Sequence, residues 1–167
     1  MTFSTKYNYQ KVDGAAHFKD YFRISSNFGN DIHLGLSDGF NGHEDDKWEI
    51  VIGGWKGGKH AIRDGNQAQN LVSKSTNPSE FNLLKKDFIL QVTDGKIAVY
   101  QSDSGRKGIR VMELNDQRIK KSKLNTLVAS GGHWPLNGSG EIHFRGYTDN
   151  FPEIEGKSHL QLRIPRP

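Results

Sequence analysis

The stretch FILQVTDGKIAVYQS, residues 88–102, indicates the fold class of this protein. Two runs rich in β-branched and aromatic residues flank Asp94-Gly95, a dipeptide that favours the two-residue turn of a β-hairpin. In the second run, Ile97 and Val99 are separated by one residue, so their side chains lie on the same face of a strand. The stretch therefore predicts two antiparallel strands joined by a tight turn.

Similar short runs, bounded by turn-forming residues, occur along the rest of the chain. They predict further strands at 3–12, 20–27, 31–37, 47–54, 59–64, 109–114, 140–148 and 158–164. Residues 79–88 and 116–128 carry possible helix caps at Ser79 and Asp116. The first of these segments is expected to be mostly strand, and the second is left open between helix and strand. Together these patterns predict an all-β fold, an antiparallel, jelly-roll-like β-sandwich that spans residues 1–167 as a single domain.

The composition excludes several classes of protein. The 167 residues contain no cysteine and carry a net charge of +4, so disulfides and thiolate chemistry are excluded. The densest basic patch, RIKKSKL at 118–124, lacks interleaved aromatic residues, so no nucleic-acid partner is expected. No signal peptide and no membrane insertion are expected, because no apolar run is long enough for either. We therefore expect a soluble protein that is cytoplasmic or non-classically secreted.

The stretch GGWKGGKH, residues 53–60, resembles a phosphate loop in its spacing of glycine and lysine. A phosphate loop needs a Ser or Thr hydroxyl for Mg²⁺ and a helix that begins at the loop. Here His60 occupies the hydroxyl position, and the turn signal Asp64-Gly65 follows too soon for a helix. The stretch is therefore predicted to be a glycine-rich corner between two strands.

The segments DIHLGLSDG, WEIVIGGW and AIR resemble the farnesoic acid O-methyltransferase-type domain over roughly residues 20 to 110. The matching positions are His33, Leu34, Leu36, Trp48 to Trp55, Ile62 and Arg63. KGGKH at 56–60 departs from the Asn- and Ser-containing turn of the family pattern. The resemblance implies a β-sandwich module. The order of segments is also similar, at the level of the fold, to galectin-type lectins.

The resemblance is expected to extend to the fold and not to the activity. A methyltransferase that uses S-adenosylmethionine usually needs a nucleotide-binding α/β sheet with a glycine-rich first loop. The alternating strand–helix units of such a sheet are absent from the sequence pattern. We therefore expect no cofactor.

The segment GGHWPLNGSGEIHFRGYTDN, residues 131–150, is the richest in polar and aromatic side chains. Aromatic rings pack on the apolar face of a sugar, and amide, carboxylate, guanidinium and imidazole groups hydrogen-bond its hydroxyls. The segment is therefore the first candidate ligand-binding site. Its residues are His133, Trp134, Asn137, His143, Arg145, Tyr147, Asp149 and Asn150.

A second candidate site lies around the glycine-rich corner. It consists of His33, Trp55, His60, Arg63 and Asp64, with Asp31 nearby. The acidic loop SDGFNGHEDD offers oxygen ligands at Asp38, Asn41, Glu44, Asp45 and Asp46, but its spacing does not fit a calcium-binding loop, so no metal is expected.

These patterns predict a carbohydrate-binding protein, a lectin without enzymatic activity, whose partners are glycans or glycoconjugates. Single sugar sites bind weakly and gain from multivalency, so a homo-oligomer is expected, most simply a two-fold dimer. Two alternatives stay open. One is an enzyme on the same scaffold, either a methyltransferase or a glycan-cleaving enzyme, and the other is a protein-interaction domain.

Overall fold

The computed structural model describes residues 10–11, 21–26, 31–37, 48–65, 68–76, 87–103, 106–124, 126–131, 140–147 and 159–164. Within these ranges the chain forms twelve strands, a single α-helical turn α1 (Gly54–Gly57) and one 3₁₀ turn (Lys121–Lys123). Neither helical turn is long and apolar enough to cross a membrane.

The twelve strands form two antiparallel sheets. In chain order they are β1 (Gln10–Lys11), β2 (Tyr21–Ser26), β3 (Ile32–Ser37), β4 (Trp48–Gly53), β5 (Lys59–Arg63), β6 (Asn70–Ser75), β7 (Phe88–Thr93), β8 (Lys96–Asp103), β9 (Arg106–Asn115), β10 (Thr126–Gly131), β11 (Gly140–Tyr147) and β12 (His159–Ile164). Sheet A has the strand order β1-β10-β3-β4-β5-β6, and sheet B has the order β12-β11-β2-β7-β8-β9. The predicted antiparallel, jelly-roll-like β-sandwich is confirmed.

The predicted hairpin is also confirmed. Strands β7 and β8 pair in antiparallel fashion up to Thr93 and Lys96. Gly95 in the turn has a φ of 81°, a left-handed conformation that glycine adopts without steric cost. Local residue choice is therefore sufficient to specify this corner of the fold.

Other segments differ from the prediction. Strand β6 was not predicted, because its polar sequence NLVSKS at a sheet edge has little apolar alternation. The segment left open at 116–128 contains a 3₁₀ turn and the first three residues of β10, so it forms no α-helix. Of the predicted strand at 3–12, the structure describes Gln10–Lys11 as strand. Residues 79–86 of the segment that was expected to be mostly strand lie outside the described ranges. The single domain over residues 1–167 stays a prediction.

The hydrophobic core lies between the two sheets. Alternate residues of the central strands point into it, and the largest fully buried side chains include Phe22, Ile24, Leu34, Ile50, Ile62, Phe88, Leu90 and Phe144. Since β3, β4 and β5 bury one set of alternate residues here, their intervening residues lie on the opposite face of sheet A. We call that face the outer face.

The glycine-rich corner between β4 and β5 brings the backbone into close contact with the buried side chain of Val51. Gly53 precedes α1 with a φ of 70°, and a Cβ atom added at Gly54 would lie 2.7 Å from Val51 Cγ1. As predicted, the corner joins two strands and does not begin a longer helix. Glycine is required at Gly54 by space.

We expect Gly54→Ala to lower the free energy of unfolding by about 1–3 kcal/mol, because the added methyl group overlaps the stiff Val51 side chain. Urea unfolding followed by circular dichroism measures the change. In a Val51→Ala background the same substitution should cost clearly less, since the colliding methyl group is gone. An equal cost in both backgrounds would show that the close contact is not the cause.

Candidate functional site

Cross-strand register places a row of polar residues on the outer face of sheet A. Glu49 of β4 pairs with Gly35 of β3 on one side and with Arg63 of β5 on the other. Arg63 in turn pairs with Asn70 of β6. His33 lies on the same face, two residues from Gly35 along β3. The sheet therefore brings side chains together from four strands.

These side chains form a chain of contacts that we call the buried charge row: Asp31, His33, Glu49 and Arg63. His33 Nε2 lies 2.7 Å from Asp31 Oδ2, and His33 Nδ1 lies 3.6 Å from Glu49 Oε2. Arg63 Nη1 donates to Glu49 Oε1 at 2.8 Å, and Arg63 Nε donates to Asn70 Oδ1 at 2.8 Å. Glu49 is fully buried, and His33 and Arg63 nearly so. Buried charges of this kind need partners, and the row supplies both signs.

The two carboxylates control the charge of His33. Burial by itself lowers the pKa of His33, but the hydrogen bond to Asp31 and the negative charges of Asp31 and Glu49 together raise it above the ordinary value of 6.5. His33 is therefore protonated over a wider pH range in the folded protein than in the unfolded chain.

This shift predicts that His33 stabilises the fold mainly at lower pH. A histidine whose folded pKa is raised contributes stability that is fully present below its unfolded pKa and is lost as pH rises through its folded pKa. Over the range above about pH 6.5, the free energy of unfolding of the wild-type protein should therefore decline relative to that of His33→Gln as the pH rises. Urea titrations of both proteins across this range measure the difference, and a constant difference would contradict the raised pKa.

Trp55 lies next to this row at the surface. Its side chain is 48% exposed, and its φ of 53° makes it the one non-glycine residue with positive φ in the described part of the chain. Bulky residues rarely adopt this left-handed conformation, because it costs steric energy. Lys59 Nζ lies 4.8 Å and the Arg63 guanidinium carbon 5.2 Å from the ring centroid. We call Trp55, Lys59 and Arg63 the Trp55 surface.

The structure brings together part of the second candidate site. Arg63 lies at 5.2 Å from the Trp55 ring, and Glu49 connects Arg63 to His33. The structure places two other predicted members, His60 and Asp64, apart from these side chains.

His60 is directed into the core because it shares a strand face with Ile62. Its Nδ1 accepts a hydrogen bond from the Gly53 N–H at 3.0 Å, and its ring lies edge-on to Phe88 at 5.8 Å. Asp64 follows the end of β5 and pairs with Arg118 at 3.2 Å.

Sequence reasoning missed three residues that build the site, namely Glu49, Lys59 and Asn70. Glu49 alternates with apolar neighbours in WEIVIG, a pattern that usually places a carboxylate in solvent, whereas the structure buries it. Its partner Arg63 lies 14 positions along the chain, and only the pairing of β4 with β5 brings the two together. The sequence signal for this pair was the basic residue Arg63 on the next strand, since opposite charges at facing positions of two strands attract each other.

Most of the first candidate site lies outside the described residues. This applies to His133, Trp134, Asn137, Asp149 and Asn150, and also to the acidic loop at 38–46. His143, Arg145 and Tyr147 occupy alternate positions of β11, where their cross-strand partners on β2 are Ser25, Arg23 and Tyr21. The binding role of this segment stays a prediction. Among the described ranges, no three His, Asp or Glu side chains are placed to hold a metal ion together.

The antiparallel sandwich, with a charged row and an exposed aromatic ring on one sheet face, defines an all-β module with a polar surface site. The sequence model of the farnesoic acid O-methyl transferase family matches residues 3–126. The chain belongs to this family, which confirms the resemblance and extends it beyond residues 20 to 110. A comparison with curated proteins finds no match.

This membership corrects the predicted function. The expectation of a non-enzymatic, carbohydrate-binding lectin is wrong, because the family is named for a methyltransferase, which is an enzyme. The prediction failed because it took a fold-level likeness to lectins as functional, although one β-sandwich scaffold serves many functions. The expected multivalency of glycan binding therefore no longer supports the homo-oligomer, which stays a prediction.

Proposed function

We propose that this protein is an O-methyltransferase whose acceptor is a carboxylic acid with an apolar chain. The observation that carries the proposal is the family match over residues 3–126, since the family is named for methyl transfer to farnesoic acid. Farnesoic acid combines an ionisable carboxyl group with a long hydrocarbon chain. A protein that acts on such an acid needs a cationic group beside an apolar surface.

The chemistry of ester formation fits a site without a general base. A carboxylic acid has a pKa of about 4 and is ionised at neutral pH, so its oxygen is already a nucleophile. The protein then has to hold the carboxylate in position and limit its contact with water. The Trp55 surface offers the Lys59 cation and an exposed ring for this task.

A methyl donor is also required, and this class of enzyme implies S-adenosylmethionine. The Trp55 surface does not fit that donor. A sulfonium cation binds to aromatic faces and carboxylates. The centroid of the Trp55 ring, however, already lies 4.8 Å from Lys59 Nζ and 5.2 Å from the Arg63 guanidinium carbon. The neighbouring carboxylates of Asp31 and Glu49 are paired with His33 and Arg63. These residues therefore suit the acceptor acid and not the donor.

Methyl transfer to a labelled product tests the proposed function. The full chain is incubated with S-adenosylmethionine carrying a labelled methyl group and with farnesoic acid, and the extracted methyl ester is identified by mass spectrometry. We expect labelled ester from the acid and no methylated product from farnesol, which has the same hydrocarbon chain but no carboxylate. Folded protein that forms no ester with both reactants in excess would overturn the proposal.

A further inference from the structure

We propose that the Trp55 surface is the subsite that binds the carboxylate end of an amphiphilic acid. In this arrangement Lys59 pairs with the carboxylate, the exposed part of the Trp55 side chain contacts the first part of the apolar chain, and Arg63 holds the ring in place. The identity of the acid rests on the proposed function. The subsite itself rests on the three side chains and their surroundings.

The conformation of Trp55 is the first argument. A tryptophan that is half exposed leaves a large apolar surface in water, and a φ of 53° adds a steric cost. Gly53 and Gly57, with φ values of 70° and 85°, allow the turn that presents the ring. Strained residues persist where the surrounding structure holds them, and they concentrate at ligand-binding sites.

The different surroundings of the two cations are the second argument. Arg63 is nearly buried, donates to Glu49 and Asn70, and so has its charge compensated within the protein. Arg63 is therefore a positioning residue for the ring. Lys59, in contrast, pairs with no carboxylate among the residues that the structure describes, and its ammonium group lies 4.8 Å from the ring centroid.

The chemistry of the ligand follows from this arrangement. A cation that has no carboxylate partner within the described ranges, and that lies beside an exposed apolar ring, attracts an anion that is continuous with an apolar group. Cationic ligands are disfavoured by Lys59, and small hydrophilic anions leave the ring uncovered. An amphiphilic carboxylate satisfies both parts, with a charge-assisted hydrogen bond to Lys59 and apolar contact with Trp55.

Binding of farnesoic acid to the full chain tests the subsite. Calorimetric titration below the aggregation concentration of the acid compares the wild type with Trp55→Gly, Lys59→Gln and Lys74→Gln. We expect Trp55→Gly and Lys59→Gln each to weaken binding by roughly ten- to hundredfold. Lys74 lies on the adjacent strand β6 and is exposed, so Lys74→Gln controls for general charge and should stay within about twofold of wild type.

A stability measurement on Trp55→Gly separates a binding role from a structural one. Glycine adopts positive φ without strain, so this variant should unfold at the same or a higher urea concentration than the wild type while it loses affinity. Lower stability together with lost affinity would assign Trp55 a structural role and overturn its role in binding.

Two simpler probes check the class of ligand. Farnesol lacks the carboxylate and acetate lacks the apolar chain, so each should bind at least tenfold more weakly than farnesoic acid. Equal binding of farnesol would overturn the role of Lys59, and equal binding of acetate would overturn the role of Trp55.

The outcomes for the subsite and for the proposed function are separate. If the acid binds with the expected dependence on Trp55 and Lys59 but no ester forms, the subsite stands and the methyltransferase proposal falls. If ester forms while both variants keep wild-type affinity, the subsite is overturned. Absence of binding to the wild-type chain also overturns the subsite.

Discussion

Glu49→Gln is expected to lower the free energy of unfolding by about 3–5 kcal/mol. The Glu49 carboxylate is fully buried, accepts a hydrogen bond from Arg63 at 2.8 Å and lies 3.6 Å from His33 Nδ1. Its removal leaves the nearly buried guanidinium of Arg63 without its compensating charge. The main cost arises because the Arg63 charge stays out of water in the folded protein and no negative charge then compensates for its lost hydration.

Urea unfolding at neutral pH measures this change. Glu113→Gln is the matched control, because Glu113 also contacts two cations, Lys96 and Arg110, but does so at the surface. Exposed ion pairs contribute about 0–1 kcal/mol, so the control should change little. The double variant Glu49→Gln/Arg63→Met should lose less than the sum of the single variants, since it removes the uncompensated charge as well. Additive losses would contradict the coupling of Glu49 with Arg63.

Phe88→Ala is expected to cost about 3–5 kcal/mol of unfolding free energy, the range for truncating a buried phenylalanine. Phe88 is 2% exposed and belongs to the core between the sheets. Phe88 lies on β7, where it pairs with Ile24 of β2 on one side and with Gln101 of β8 on the other. Its ring also contacts His60 of sheet A. The cavity left by the ring therefore affects both sheets, and the surrounding strands restrict its collapse.

Thermal unfolding should show the same loss as a decrease in Tm of roughly 6–20 °C for a chain of this length. The control is Ile109→Ala on β9, where the side chain is 79% exposed. This exchange should stay within about 0.5 kcal/mol of wild type. A comparable loss in both variants would contradict the assignment of Phe88 to the core.

The glycines of the corner and the cationic residues of β5 together determine the position of the Trp55 ring. Its glycines provide close contact at Gly54 and positive φ at Gly53 and Gly57, and the turn that results holds Trp55 at the surface. The next strand begins with Lys59 and ends with Arg63, both of which reach the ring. A stretch whose letters resemble a phosphate loop thus forms a surface in which an exposed aromatic ring lies near two cationic side chains.

The sequence by itself determined the class of the fold, most of its strands and the family. Period-two alternation, Asp94-Gly95 and the segment WEIVIGGW are local signals, and each depends on residues within one or two elements. Where local signal was weak, as in the polar edge strand β6, the prediction failed. The site was found in part, since Trp55 and Arg63 belonged to a predicted cluster.

Only the tertiary structure decided which side chains share that site. Glu49 and Arg63 are adjacent because β4 and β5 pair in one register, and a shift of one residue would turn either side chain to the opposite face. The same alternation directs His60 into the core. Asp64 lies beyond the end of β5 and pairs with Arg118. Residue patterns along a strand specify its two faces, but the neighbours on each face depend on pairing between distant segments. The buried charge row and the Trp55 surface therefore exist only in the assembled sheet.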